Sequence, residues 1–347
     1  MKKRITKSLK FNEFGEQLRA IAEIERPGGS IDTRLINSAA GASEGVMSDG
    51  GYLVQQDFAS DLLKSVYEGG DLLSKVTNIP ISTKSNSLKI NLVDEVSRED
   101  GYRWGGVQVY WEKEAGKISE SKPKFKQLTL TLGKLTGLCY ATDELLEDVS
   151  ALGSVIHAAF SDEFIFKLED AILRGSGAGE PLGILNSDAL AVVSKESGQT
   201  DIICVENLLK MLASCYDKYG RAEWYINGEL RPYLYKLKIG DTPVYLPNNS
   251  IAGAPFGILL GKPVNFIEQA SAPGDVGDIL LADMKEYIIT DKSNIKAQSS
   301  IHVRFIYDET AFKFVYRVDG MPKWNSTITP YKGSLVKSPF VALEARI

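Results

Sequence analysis

Ahead of Ser85 the apolar positions recur three and four apart; from Ser85 onward they alternate. Phe14, Leu18, Ile21 and Ala22 predict a short amphipathic helix over 11–26, ended by Pro27-Gly28-Gly29. Residues 36–51 are small and polar and predict an extended arm. Phe58, Leu62, Leu63 and Val66 predict a helix over 57–68, stopped by Gly69-Gly70. Leu88, Ile90 and Leu92 then share one face of a strand. Leu128, Leu130 and Leu132 do the same in a strand predicted over 127–142.

Helical spacing returns over 142–174, where Leu145, Val149, Leu152, Ile156, Phe160, Phe164, Leu168 and Ile172 form a stripe. Gly153 predicts a break, leaving a rod over 150–174 of roughly 37 Å. Residues 175–200 are turn-rich. A helix is predicted over 205–219, a buried strand over 224–227, a short helix over 230–238 and a loop over 247–257. Short strands are predicted at 264–268, 278–282 and 286–291. A long hairpin follows over 296–306 and 311–318, with Tyr307-Asp308-Glu309 at its tip, and a final strand over 339–345. Helices and strands interleave without a βαβ rhythm, which predicts an α+β fold.

The segment 93–126 breaks the pattern. It holds Tyr102, Trp104, Tyr110 and Trp111 among seven acids and seven bases. It is too polar to build a core of its own. A long loop without its own structure is functional or disordered as a rule, and aromatic side chains on such a loop suit docking onto another surface. The competing expectation is that the aromatics fold back on their own domain.

Composition narrows the function. The 347 residues suffice for two or three units around sizeable cores. Forty Lys and Arg against 45 Asp and Glu leave a net charge of −5, which argues against a broad nucleic-acid-coating face. Three Cys exclude a disulfide scaffold and suit a reducing compartment. The first ten residues carry Lys2, Lys3, Arg4, Lys7 and Lys10, but the apolar run of a signal peptide does not follow, and no stretch is apolar enough to span a membrane.

Candidate chemistry is thin. Gly41-Ala42-Ser43-Glu44-Gly45 matches the G-x-S-x-G nucleophile elbow but lacks the strand before it and the helix after it. Gly175-Ser176-Gly177-Ala178-Gly179 looks like a phosphate loop, yet it follows a helix and runs into Pro181, so a helix cap and turn is expected. Gly257 to Pro263 falls short of a P-loop and predicts a turn into a strand. Cys139, Cys204 and Cys215 have no metal-ligand spacing, and His157 and His302 lie far apart. No catalytic group, cofactor or metal is expected. What remains is an α+β chain with projecting arms, and arms of that kind imply assembly.

At these landmarks the sequence resembles the major capsid proteins of tailed bacteriophages, which share the Hong Kong 97-type capsid fold. AAGASEGVMSDGGYLV (39–54) resembles the family's Ala/Gly-rich motif ending in G-G-[FY]-L-V, with Gln55 where Pro is usual. LRGSGAGEPLGILN (173–186) resembles its G-x-G-x-x-x-P-x-G-[IL] junction. Trp224 to Asn227, Leu260 to Val264, Gly277 to Ile279, and FKFVYRVDG (312–320) follow in the family's order. The resemblance covers residues 36–322.

The resemblance implies an N-terminal segment and N-arm over 1–56, the start of a peripheral domain over 57–84, and an E-loop over 85–137. It implies the peripheral domain with its spine helix over 138–199, an axial domain over 200–285, the peripheral hairpin over 286–330, and a C-terminal strand returning to the axial domain over 331–347. It implies a structural, non-enzymatic shell protein forming pentamers and hexamers that close into an icosahedral virion capsid. The shell would enclose double-stranded DNA and be assembled in the bacterial host cytoplasm, with a portal and a separate scaffolding or decoration protein as partners. Intersubunit contacts are expected from Arg103, Trp104, Trp111 and Lys113 of the E-loop and from Asp308 and Glu309 at the hairpin tip. Lys2, Lys3 and Arg4 would form a lumenal basic tail. About 38 residues precede the arm, too few for a cleaved scaffolding segment. No Asn lies in 301–322, so the crosslinking known in some members is not expected. An encapsulin-like nanocompartment shell is the alternative, and a serine hydrolase using Ser43 a remote one.

Overall fold

The computed structural model describes residues 11, 16–17, 20, 32–38, 51–53, 56–82, 85–113, 120–142, 149–199, 202–247, 257–304, 307 and 309–346. Most of the helix expected over 11–26 and most of the arm over 36–51 lie outside them. Where the arm's first residues are described, they close a short helix, Thr33–Ser38, instead of running extended. The chain divides into two compact units. One comprises residues 1–73, 133–167 and 291–318; the other 74–132, 168–290 and 319–347.

The first unit is a helix-on-sheet layer. Its strands run in the order Gly51–Leu53, Tyr287–Arg304, Glu309–Pro322, Gly133–Thr142, of which residues 287–290 and 319–322 belong to the other unit. The last pair is antiparallel, in register from Glu309 opposite Thr142 to Val318 opposite Gly133. The helix Val149–Arg174 is continuous; Gly153 does not break it, since one glycine costs only about 1 kcal/mol in a helix this long. Its i+4 stripe meets the alternating face of Glu309–Pro322. Phe160 stacks on Phe314 at 4.3 Å, and Phe164 lies 6.4 Å from Tyr316. Gly137 makes room for this, because a Cβ there would fall 2.3 Å from the Phe160 ring. Leu62 and Val66 of the helix Gln56–Gly69 are buried. From the same helix Tyr67 donates to the buried Asp291, to which Tyr316 also donates at 2.6 Å. Burial, and then the Tyr67 and Asp291 oxygens, hold the Tyr316 phenol well above its ordinary pKa, so it stays a donor.

Two expectations from the alternating pattern differ from the structure. The run 127–142 is two strands, not one: Phe125–Thr131 and Gly133–Thr142 pair in different sheets and part at Leu132. The strands expected at 286–291 and 296–306 are one 18-residue strand, Tyr287–Arg304, which the polar stretch around Ser293 (φ 51°) does not interrupt.

The second unit is built on a seven-stranded sheet in the order Tyr245–Leu246, Gly257–Leu259, Lys262–Ile267, Glu223–Asn227, Ile279–Ala282, Phe340–Leu343, Leu190–Val193. Trp224, Ile226, Leu281, Val341 and Leu343 form its core with Leu208 and Met211 of the helix Val205–Ser214. Its central strands are apolar on both faces, as strands buried on both sides must be. The edge strand Leu190–Val193 falls in the stretch expected to be turn-rich; only four residues long, it gives too short an apolar run to register by period. The helix expected to reach 219 stops at Ser214, where Cys215 turns extended. Leu260 and Gly261, both left-handed, make the two-residue turn between Gly257–Leu259 and Lys262–Ile267.

Candidate assembly site

The aromatic segment is carried by a hairpin in the second unit. Ser87–Val93 and Phe125–Thr131 pair antiparallel, Leu88 opposite Leu130 and Ile90 opposite Leu128. This two-stranded ribbon has an apolar face, which joins Ile288 and Met321 in a small core, and a polar one.

Beyond the strands the backbone stays tied. The Asp94 amide donates to the Lys124 carbonyl at 3.0 Å, and the Lys124 amide to the Gly105 carbonyl at 2.9 Å. Gly105 is required, since a Cβ would sit 2.6 Å from the Lys124 carbonyl oxygen. Arg98 donates its amide to Thr329 at 2.9 Å, and Thr329 returns one to Val96 at 3.1 Å. The Arg98 guanidinium stacks on Tyr216 at 5.0 Å and pairs with Glu95, and Tyr216 stacks on Trp324 at 5.1 Å. Burial works against the Arg98 charge, but the Glu95 carboxylate and Tyr216 hydroxyl outweigh it and hold its pKa above the ordinary value. Gly101 lies under the Tyr331 ring, 3.2 Å from where a Cβ would be.

The outer part of the loop is open. Trp111 is 105% exposed, Val109 93% and Trp104 66%. Trp104 has φ 56°, a left-handed conformation costly for a bulky residue, and it projects from the turn that closes between Arg103 and Val107. Trp104 also borders a cleft of about 310 Å³ lined by Asp94, Glu95, Glu286, Lys323 and Trp324. The competing expectation, aromatics folded back on their own domain, therefore fails for Trp111.

The structure places Arg103, Trp104, Trp111 and Lys113 together on this loop, all exposed. Glu309 stands elsewhere, opposite Thr142 at the end of its strand, next to the exposed Tyr307. Asp308, Lys2, Lys3, Arg4 and Ser43 lie outside the described residues. The sequence reading missed the anchors Arg98, Tyr216, Trp324 and Thr329. Their pairing joins segments more than a hundred residues apart, and no local pattern signals it.

Other candidate chemistry resolves into structure. At Gly175 to Gly179 the Ser176 amide and hydroxyl both donate to Glu180, at 2.9 and 2.8 Å, and the Gly177 amide to Pro181. Those amides are occupied within the turn. Burial pushes the Cys139 thiol up to about 11 and the Cys215 thiol up to about 12, which leaves both poor nucleophiles at neutral pH. Among the described residues no three His, Cys, Asp or Glu side chains cluster as metal ligands would.

Comparison with known proteins agrees with an assembling subunit. No curated protein matches the sequence. Among solved structures the chain is similar to the capsid of a native GTA particle computed with C5 symmetry: 16% identity, TM-score 0.60, over 80% of this chain and 90% of that one. It is similar to a structure from Mycobacterium phage Adephagia at 13% identity and TM-score 0.53, over 79% and 89%. A virus-like particle from Pyrococcus furiosus matches at 14% identity and TM-score 0.50, over 83% and 98%. These likenesses establish the α+β, Hong Kong 97-type capsid fold expected from the motifs. The sequence profile of the Phage capsid family matches residues 50–333, and a nanocompartment is not favoured over a phage capsid. The chain thus belongs to the phage capsid family.

Proposed function

We propose that this major capsid protein builds the head of a tailed double-stranded DNA phage. Its copies form pentamers and hexamers that close into an icosahedral shell around the genome, within the bacterial cytoplasm. The role is structural, without catalysis. A portal and a separate scaffolding or decoration protein complete the head, and Lys2, Lys3 and Arg4 face the packaged DNA. The loop 94–124 reaches over a neighbouring copy, where Arg103, Trp104, Trp111 and Lys113 make the contact. Asp308 and Glu309 meet further copies.

The observation that carries this reading is the split character of the loop: a root tied by main-chain bonds and a stacked arginine, and a tip whose Trp111 is fully exposed among the described residues. A fixed root with an unburied aromatic tip suits an interface hot spot. Electron microscopy with light scattering of the purified protein tests it. Closed shells, or rings of five or six, are expected, with scaffold supplied if needed. A persistent monomer under both conditions refutes the proposal.

A further inference from the structure

Among the described residues the hairpin carrying the loop has no third strand beside it, and an isolated ribbon needs support from outside itself. Its apolar face on Ile288 and Met321 supplies part of that support. Hydrophobic contact is non-directional, so it holds a ribbon down without fixing its pose. Arg98 and Thr329 tie the loop beyond the strands; on the ribbon itself a directional contact comes from Asp319. Its Oδ2 accepts the Thr131 amide at 2.6 Å and its Oδ1 the Gly320 amide at 2.8 Å. Leu132 donates across the ribbon to Asn86, which turns the amide of Thr131 to the ribbon's outer edge. There, Asp319 is its acceptor.

Asp319 stands on a rigid platform. The Gly320 carbonyl accepts the Leu182 amide at 2.8 Å, and the Tyr287 hydroxyl donates to the Leu182 carbonyl at 2.9 Å. A Cβ on Gly320 would come within 2.9 Å of the Tyr287 ring, so the strand is pressed against its neighbour. Among the described residues no cation pairs with Asp319. The bases next in register, Arg317 and Lys134, stand opposite each other. Burial raises the Asp319 carboxyl above its ordinary range, against the pull of the two amides. The fold therefore keeps a carboxylate at this point despite a desolvation cost.

We propose that Asp319 is a positioning residue of the assembly loop: it latches the hairpin root, so that Trp104 and Trp111 meet the next copy in one pose. The inference rests on the loop reading above and deepens it.

Hydrogen exchange on the full-length protein reads the latch without any assembly step. Asp319→Ala should speed exchange across 87–93 and 125–131 by about 10- to 100-fold, the change expected on losing a hydrogen bond to a charged acceptor. Exchange in Glu223–Asn227 should not change. Thr131→Pro removes the same bond from the other end, at an edge that tolerates proline, and should reproduce the effect. Unchanged hairpin exchange in both variants overturns the latch, and so does acceleration spread evenly into the seven-stranded sheet. Trp111→Ala keeps the two ideas apart, since it should weaken assembly with hairpin exchange intact. If Trp111→Ala assembles as wild type while Asp319→Ala frees the hairpin, the loop reading fails and the latch remains as an anchor of the fold.

Discussion

Trp111→Ala should leave the subunit's stability untouched and cripple its assembly. Trp111 is 105% exposed, so truncation removes no contact with the described residues. Surface changes of that kind fall within about 0.5 kcal/mol of wild type. Against a second copy the same side chain can bury about 200 Å². At roughly 25 cal/mol per Å² that is at most about 5 kcal/mol, and truncating an interface tryptophan of this type costs about 2–4 kcal/mol. Each loop contact would then weaken by about 30- to 1,000-fold. A shell repeats the contact at every subunit, so the threshold concentration for particles should rise steeply. Urea unfolding measures the first quantity; light scattering over a concentration series, with microscopy of the products, measures the second. Assembly at the wild-type threshold would refute the reasoning, and so would a lowered urea midpoint, which would mean that Trp111 packs on its own chain after all.

Four further outcomes follow from the packing. Trp104→Gly relieves a left-handed backbone and should raise urea stability by about 1 kcal/mol while weakening assembly; a loss of stability would show that the indole is held within the subunit. Arg346→Ala leaves the buried Asp278 carboxylate without its ion pair and should cost about 3–5 kcal/mol, read by the same unfolding assay. Native Cys139, with a thiolate fraction of about one in a thousand at pH 8, should react with iodoacetamide far more slowly than in urea; equal rates would contradict its burial. Because the folded-state pKa of Asp319 is raised, its contribution to stability is present below the ordinary carboxylate range and lost as pH rises through the folded value. The melting temperature of Asp319→Asn relative to wild type should therefore be higher at pH 7 than at pH 4, with buried Tyr287 neutral throughout, and a gap that does not change with pH would contradict the raised value.

The legible parts of this fold are those where side-chain period and local structure have one cause. The i+4 stripe through Phe160, Phe164 and Leu168 could be read because a helix must bury one face. Leu88, Ile90 and Leu92 could be read because a ribbon must do the same. Trp104 and Trp111 drew notice as aromatics in a stretch too polar to hide them, and the structure leaves both exposed. At Leu132 the side-chain period no longer reports the local structure. Alternation runs without a fault through Leu128, Leu130 and Leu132, so nothing in it marks the point where one strand leaves the hairpin and the next joins another sheet. That decision is made by partners far away in the chain: Ser87 on one side, Val318 on the other.

The same distance explains the anchors of the candidate site. Arg98 stacks on a tyrosine 118 positions later, and Thr131 donates to a carboxylate 188 positions later. The motif around Asp319 and Gly320 was visible as a string, but its content was not. In the structure each residue has a separate task. Gly320 lets two strands close on the Tyr287 ring, and Asp319 spends both carboxylate oxygens on backbone amides, one of them belonging to the loop's own root. A carboxylate burdened by burial and unpaired by any described cation is a poor choice for stability alone. Exceptions to local rules of this sort gather where a fold serves a function. Here the function at stake is the pose of an exposed tryptophan, which no single subunit can use.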